Sequence, residues 1–444
     1  MLPEPLRAAI HWAADAVWGP WTIALLLGTG LYLSIRLRFV QVRRFGEAVR
    51  TMVPKDQPEG ARGPLTPFQT FMTALAASIG TGNIAGVATA VVTGGPGAVF
   101  WMWVYGFFAT AIKFTEAVLG IRYRSLSGER LSAGPMHYLR DGLGLPRLGW
   151  LYALVAGVAA LTTTPFTQPN SIAVVWQSQF GIPTLATGIG IAALTWLVVI
   201  GGVKSIGRAA EKLAPLKVAL YLTGGLLVIV THLGALPETM ALIFREAFSM
   251  RAAAGGALGM LVAMRYGLAR GIYANEAGYG TAAVAYGTAR SERPVQQGLN
   301  AVMEVFIVSF VTSSVSALTI LLTGVWRSGL TSTAVVAAAF DTTMPTVGGW
   351  MVAFCAFLFG YTTLIGWAYY GEQFLEYVFG PRVTVPYRWT YCGLIVFGAI
   401  SKVDTVWAWG DLMNGLQIFP NLVGIVGLSG VAARMLRADP GEAP

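Results

Sequence analysis

The feature that most constrains this chain is a succession of apolar runs, each long enough to cross a bilayer and separated by short connections. At about 20 residues per crossing, they centre on Trp18–Ile35, Phe68–Val92, Ala98–Gly120, Trp150–Gln177, Thr184–Val203, Leu213–Thr231, Gly255–Ala274, Leu299–Gly324, Gly348–Leu375, Trp389–Ala399 and Trp407–Val431. In hydrocarbon the backbone has to satisfy its own polar groups, so these runs predict eleven helices and an all-α polytopic membrane protein. Composition agrees: 55% of the 444 residues are apolar and 11% charged, where a soluble protein carries about 25%. Soluble catalytic, nucleic-acid-binding and disordered modules lack the polar sequence they need, and no segment reads as a cleavable signal peptide. The amphipathic Leu236–Met250 and the small, polar Thr331–Met344 are expected as surface or re-entrant pieces.

Charge sidedness accounts for the net charge of +9 without a nucleic-acid partner. The connections 36–66, 113–147, 204–217, 290–293 and 382–388 and the tail 434–437 hold 23 of the 30 Lys and Arg. Basic loops stay in the cytoplasm, which predicts a plasma (bacterial inner) membrane protein with its N-terminus outside and its C-terminus inside. Cys355 and Cys392 sit in apolar runs as small hydrophobes, and His11, His137 and His232 fall at or beyond span ends.

Two of the runs are interrupted. The second reads Leu75-Ala76-Ala77-Ser78-Ile79-Gly80-Thr81-Gly82-Asn83-Ile84-Ala85-Gly86, and the seventh contains Gly271-Ile272-Tyr273-Ala274-Asn275-Glu276-Ala277-Gly278-Tyr279-Gly280-Thr281. Each Gly weakens a helix by about 1 kcal/mol relative to Ala. A lone Gly-x-Gly is most simply a close-packing device, but two breaks five spans apart suggest two five-helix halves of opposite topology, with a transport site at the paired breaks. The expected organisation is an extra N-terminal helix and basic loop (1–64), a first half (65–232), an external connection (233–254), a second half (255–437) and a tail (438–444). An unwound segment exposes amides on one half-helix and carbonyls on the other. A zwitterionic amino acid and a small cation satisfy both: amides near Gly80-Thr81-Gly82 take a carboxylate, and carbonyls near Ala76, Ile79 and Ile272–Asn275 take an ammonium or a cation.

At these motifs the chain resembles the alanine or glycine:cation symporter family, sodium-coupled carriers of the amino acid-polyamine-cation superfamily with a leucine-transporter-like fold of 5+5 inverted repeats. The resemblance covers nearly the whole chain. It includes Gly80-Thr81-Gly82-Asn83-Ile84-Ala85-Gly86, Gly94-Gly95-Pro96-Gly97, Phe100-Trp101-Met102-Trp103, Lys113-Phe114-x-Glu116-Ala117 and Gly134-Pro135-Met136. Gln168-x-Asn170-Ser171, Asn275-Glu276-Ala277-Gly278, Gly366-Trp367-x-Tyr369-Tyr370-Gly371-Glu372 and Pro420-Asn421-Leu422 follow in order. The resemblance implies a substrate site at Thr81, Gly82, Gln168, Asn170, Asn275 and Gly278, with Tyr279 as a wall. It implies a Na+ site built from carbonyls of Ala76, Ile79 and Phe359 and hydroxyls of Thr362 and Thr363. The chain departs from the family pattern at Tyr279, at Thr281-Ala282-Ala283, at Pro165 and Pro169 beside Gln168, and at Phe306, where Glu304 is the nearest acid to an expected aspartate.

Lys113 and Glu116, three residues apart, are expected to form an ion pair on one helix face. Arg270 lies at the level of an external gate, with Asp404 or Asp411 as partner. The expectation is a secondary symporter, not an enzyme, that imports a small neutral amino acid such as alanine or glycine with Na+ by alternating access and needs no obligate protein partner. The alternative is proton coupling through Glu276 or Glu304. An intramembrane hydrolase would need a facing nucleophile and base, and a channel a continuous polar lining; the polar residues cluster instead at the two breaks.

Overall fold

The computed structural model describes residues 4–52, 61–127, 130–249, 259–439 and 441. Helices fill almost all of it, with one short antiparallel ladder, Ser125–Ser127 against Arg130–Ser132. Six helices are long and apolar enough to cross a membrane, and two bent pairs raise the number to eight: Pro67–Ser78 with Thr81–Gly94, bent by 59°, and Thr405–Gly427 with Ser429–Ala438, bent by 51°. Thr184–Val199 is apolar but shorter, and Gly259–Asn275 and Thr384–Ile400 have 17 residues each. Among the described residues, length and composition alone thus support six to eight crossings and do not by themselves confirm the expected eleven. The expected boundary at 254/255 lies outside the described residues.

The first broken helix starts sharply, because Thr66 accepts a hydrogen bond from the Gln69 amide while the Gln69 side chain accepts from the Thr66 amide, a reciprocal cap. Pro165 stands in the first turn of Thr164–Phe180, where a missing N–H leaves nothing unsatisfied. The apolar stretch from Pro146 accordingly pauses at Thr163 before continuing past Gln168. Helix Gly97–Arg122 packs along both Gly259–Asn275 and Pro294–Val305, and Val347–Phe379 packs on Pro67–Ser78, Thr164–Phe180 and Gly202–Thr231. These two long helices form the walls behind the two breaks. Large apolar side chains such as Leu197, Val230 and Phe379 face outward, as a lipid-facing surface requires.

Two lysines counted among the loop cations prove to be core residues. Lys113 and Lys217 are both about 1% exposed or less, inside the continuous helices Gly97–Arg122 and Gly202–Thr231. Lys113 does not pair with Glu116. Its ammonium lies 2.6 Å from Glu304 Oε1 on the neighbouring helix Pro294–Val305. The expected gate pair does form, with Arg270 Nη2 3.1 Å from Asp411 Oδ2.

Glu304 also accepts from Ser78 and from the Tyr286 hydroxyl at 2.9 Å. Lys113→Met should cost about 3–5 kcal/mol by leaving that carboxylate buried without its counter-charge. The double variant Lys113→Met/Glu304→Gln should regain much of the loss. Thermal unfolding in detergent checks this; a single variant as stable as the parent would contradict it.

Candidate substrate and cation site

The first broken helix ends its initial segment at Ser78, so the carbonyls of its last turn have no amide to accept from further along. Lys217 supplies one cation to several of them. Its Nζ donates to Ala76 O at 2.9 Å, Ile79 O at 2.6 Å and Thr362 Oγ1 at 2.5 Å. An ammonium has three donors, and all three are used. Thr362 Oγ1 donates onward to Phe359 O at 3.1 Å, leaving its lone pairs to Lys217, and the Phe359 ring lies 5.4 Å from the same nitrogen. Thr363 donates to Ala77 O at 2.8 Å and reaches Ala76 O at 3.3 Å.

The second break is built the same way. The segment Gly259–Asn275 ends on Asn275, whose carbonyl accepts from Lys113 Nζ at 2.6 Å. That nitrogen also donates to Ser78 Oγ at 3.0 Å, which ties the two breaks together. Glu276, Gly278 and Gly280 then take positive φ values of 56°, 95° and 85°. The two glycines make that turn sterically inexpensive. Beyond it, the amides of Gly278 and Gly280 donate to Glu116 Oε1 at 3.0 and 3.2 Å, and Asn421 Nδ2 donates to the same oxygen at 2.7 Å. The carbonyl ends thus meet ammonium groups and the amide end of the second break meets a carboxylate, as the helix dipole favours. Glu276 accepts from Trp367 Nε1 at 2.6 Å and from Thr281 Oγ1 at 3.1 Å.

The fourth end differs. At the amide side of the first break, Thr81 N–H and Thr81 Oγ1 both donate to the neutral Gln168 Oε1, at 3.0 and 2.9 Å. A small cavity opens here, lined by Gly80, Gly82, Gln168, Tyr279, Glu276 and Thr363, with Ser78, Thr163, Tyr273, Trp367 and Asn414 completing its wall. Gly80 is required by packing: a Cβ there would lie 2.7 Å from Thr363 Oγ1 and 3.0 Å from Gln168 Oε1. Two hydroxyls of the cavity wall, Tyr279 OH and Thr163 Oγ1, are buried with no hydrogen-bond partner among the described residues. Buried polar groups are rarely left so. Toward one end, Tyr273 lies against Trp407, ring centres 5.1 Å apart and planes tilted by 46°, beside the Arg270–Asp411 pair.

Of the residues expected to bind substrate, Gly82, Gln168 and Tyr279 line this cavity, and Thr81 adjoins it through its two hydrogen bonds to Gln168. Asn170 instead donates to Gly398 O and Ser401 O at 3.1 and 2.8 Å. Asn275 caps its own break, accepting from Ala277 N at 3.0 Å and donating to Ser309 at 3.3 Å. Gly278 binds Glu116. The five residues expected to hold Na+ (Ala76, Ile79, Phe359, Thr362 and Thr363) do converge, around Lys217. Sequence reading missed Lys217, Thr163, Tyr273, Trp367 and Asn414. The one usable signal was Lys217 itself, a lysine between Ala214-Pro215-Leu216 and Val218-Ala219-Leu220, with apolar sequence on both sides.

The profile of the sodium:alanine symporter family matches residues 4–439. The chain belongs to that family. It is 39% identical over 432 residues to the sodium/alanine symporter AgcS of Methanococcus maripaludis, covering 95% of this chain and 94% of the other. It is 35% identical to the probable sodium/glutamine symporter GlnT of Bacillus subtilis, covering 98% and 91%. Among solved structures, a Na+-coupled sialic acid symporter in a substrate-bound, outward-open state shares the fold with a TM-score of 0.52 at 11% identity, over 94% of this chain and 86% of that one. The protein is thus a helical membrane transporter of an amino-acid:cation symporter family, and not of an enzyme family.

In a family member, the two unpartnered hydroxyls make a specific test. Tyr279→Phe should raise the dissociation constant for alanine by about 3- to 10-fold, the worth of one hydrogen bond, without lowering the stability of the ligand-free protein. Calorimetric titration and thermal unfolding read the two effects separately; unchanged affinity would place the cargo away from Tyr279.

Proposed function

We propose that this protein imports a small neutral amino acid, alanine- or glycine-like, together with Na+ by alternating access. The carrying observation is the asymmetry of the four break ends. Three meet a charged side chain, from Lys217, Lys113 and Glu116, and the fourth meets only the neutral oxygen of Gln168. An amino acid's carboxylate is the charge that end lacks, and it would take over the Thr81 amide as Gln168 swings aside. Its ammonium would face Glu276, which lines the same cavity. The bulk of Tyr273, Tyr279 and Trp367 around that cavity supports a cargo with a small side chain. In this reading Asn275, Asn170 and Gly278 act from behind, by fixing the backbone around the site. The two five-helix halves, 65–232 and 255–437, would rock about it, and the Arg270–Asp411 pair closes one approach.

The Na+ site of this reading is the oxygen cluster of Ala76, Ile79, Phe359, Thr362 and Thr363. Two unit charges about 3 Å apart repel by about 5 kcal/mol even at an effective dielectric constant of about 20, so Na+ and the Lys217 ammonium have to alternate there. That same contact supports a second reading, in which Lys217 is the standing cation and a proton drives transport through Glu276. Glu304 is the weaker proton candidate because Lys113, Ser78 and Tyr286 already hold it.

Uptake of labelled alanine into proteoliposomes separates the two. Sodium coupling predicts accumulation driven by an inward Na+ gradient at equal pH. Thr362→Val, close in shape but without the hydroxyl, should then require several-fold more Na+ for half-maximal uptake. Accumulation driven by a pH gradient with Na+ absent would select the proton reading.

A further inference from the structure

A second cavity, of about 570 Å3, lies far from the breaks, where helix Pro20–Arg36 turns into Val40–Arg43 and meets the terminal helix Ser429–Ala438. Arg36, Arg38, Arg43, Arg44 and Arg437 line it against a single acid, Asp439. Arg44 is committed, 2.6 Å from Glu47 and 2.9 Å from Asp439, and Arg437 turns its Nε back to Ala433 O at 3.2 Å. Arg36, Arg38 and Arg43 have no acidic partner among the described residues.

The floor of this cavity is apolar, formed by Leu37, Val40 and Leu436. Beside it, Ile35, Phe39 and Val42 are exposed by 59%, 40% and 59%. This edge continues into Leu31 and Tyr32, also exposed, on the outward face of the same helix. Backbone strain shapes the turn: Arg38 and Phe39 are consecutive non-glycine residues at φ 54° and 52°, held by Phe39 N donating to Ser34 O at 2.6 Å and by Gln41 Nε2 donating to Ser34 Oγ at 2.8 Å. Such strain concentrates at ligand clamps and functional turns. Here it presents a guanidinium and an aromatic ring side by side.

We propose that this cavity binds the headgroup of an anionic phospholipid. Guanidinium groups take phosphate oxygens in pairs, and basic pockets between membrane helices suit anionic headgroups. The apolar floor and the exposed Ile35–Phe39 edge give the first acyl carbons a surface, which a free phosphate would leave unused. A zwitterionic headgroup brings its own ammonium to a cavity already in excess of positive charge. The lipid would tie the N-terminal helix to the terminal helix across Asp439, where Arg44 and Arg293 already meet.

The test uses the full chain, purified in a zwitterionic detergent, with bound lipid counted by native mass spectrometry. Phosphatidylglycerol, phosphatidylcholine of the same acyl chains, and glycerol phosphate are the three probes. Phosphatidylglycerol should bind at least tenfold more tightly than phosphatidylcholine, weaken as salt is raised, and resist competition by glycerol phosphate. The triple variant R36Q/R38Q/R43Q should lose that preference while retaining alanine binding; if it does not fold, R38Q and R43Q singly should each reduce it several-fold. Equal binding of the two lipids, full competition by glycerol phosphate, which would mark a site for soluble anions, or unchanged preference in the variants that fold would overturn the proposal.

Discussion

The structure depends on one interaction, a lysine ammonium set against the open carbonyls of a broken helix. Interrupting a helix within a membrane leaves backbone oxygens with no water to bond, and each unsatisfied group costs several kcal/mol. Lys217 meets two such oxygens and a hydroxyl at the first break, and Lys113 meets one at the second. Both lysines sit on helices that do not break, so the weak points of the fold are fastened to its stiff elements. Lys113 brings its counter-charge with it in Glu304. Among the described residues the hydrogen-bond partners of Lys217 are neutral oxygens alone, and an ionisable residue so placed in a membrane helix is expected to be functional.

That difference between the lysines bears on transport. A cation fully paired with a carboxylate has no reason to move, whereas one held by neutral oxygens has no counter-charge fixing it in place. Under the proposed sodium coupling, transport would exchange one cation for another at this place. The unwound backbone is what allows the exchange, since carbonyls committed to a continuous helix would have no free lone pairs pointing inward.

The breaks themselves were legible in the sequence because glycine and asparagine announce them and because they recur five spans apart. Thr81, Gly82 and Tyr279 could be placed at the site since they lie on those breaks, whereas Gln168, on a separate helix, was placed only through the family resemblance. The lysines were misread for a physical reason: a lysine near the end of an apolar run ordinarily snorkels to the interface, and the apolar flanks of Lys217 mark it as unusual without saying which groups it meets. Its role is set by Ala76, Ile79 and Thr362, residues about 140 positions away in the chain. The Lys113–Glu116 pairing failed likewise, because i, i+3 spacing reports only neighbours on one helix. Glu116 serves the amides of Gly278 and Gly280, and Lys113 serves Glu304, on two other helices.

The requirement for a cation at the first break can be measured directly through the thermal stability of Lys217→Met in detergent, in sodium chloride and in the chloride of a large organic cation. Without Na+ the variant should melt well below the parent protein. Na+ should then raise its melting temperature more than it raises the parent's, since ions that bind the folded state stabilise it and the vacated oxygens would be free to take one. A variant as stable as the parent without Na+, and indifferent to its addition, would contradict the account.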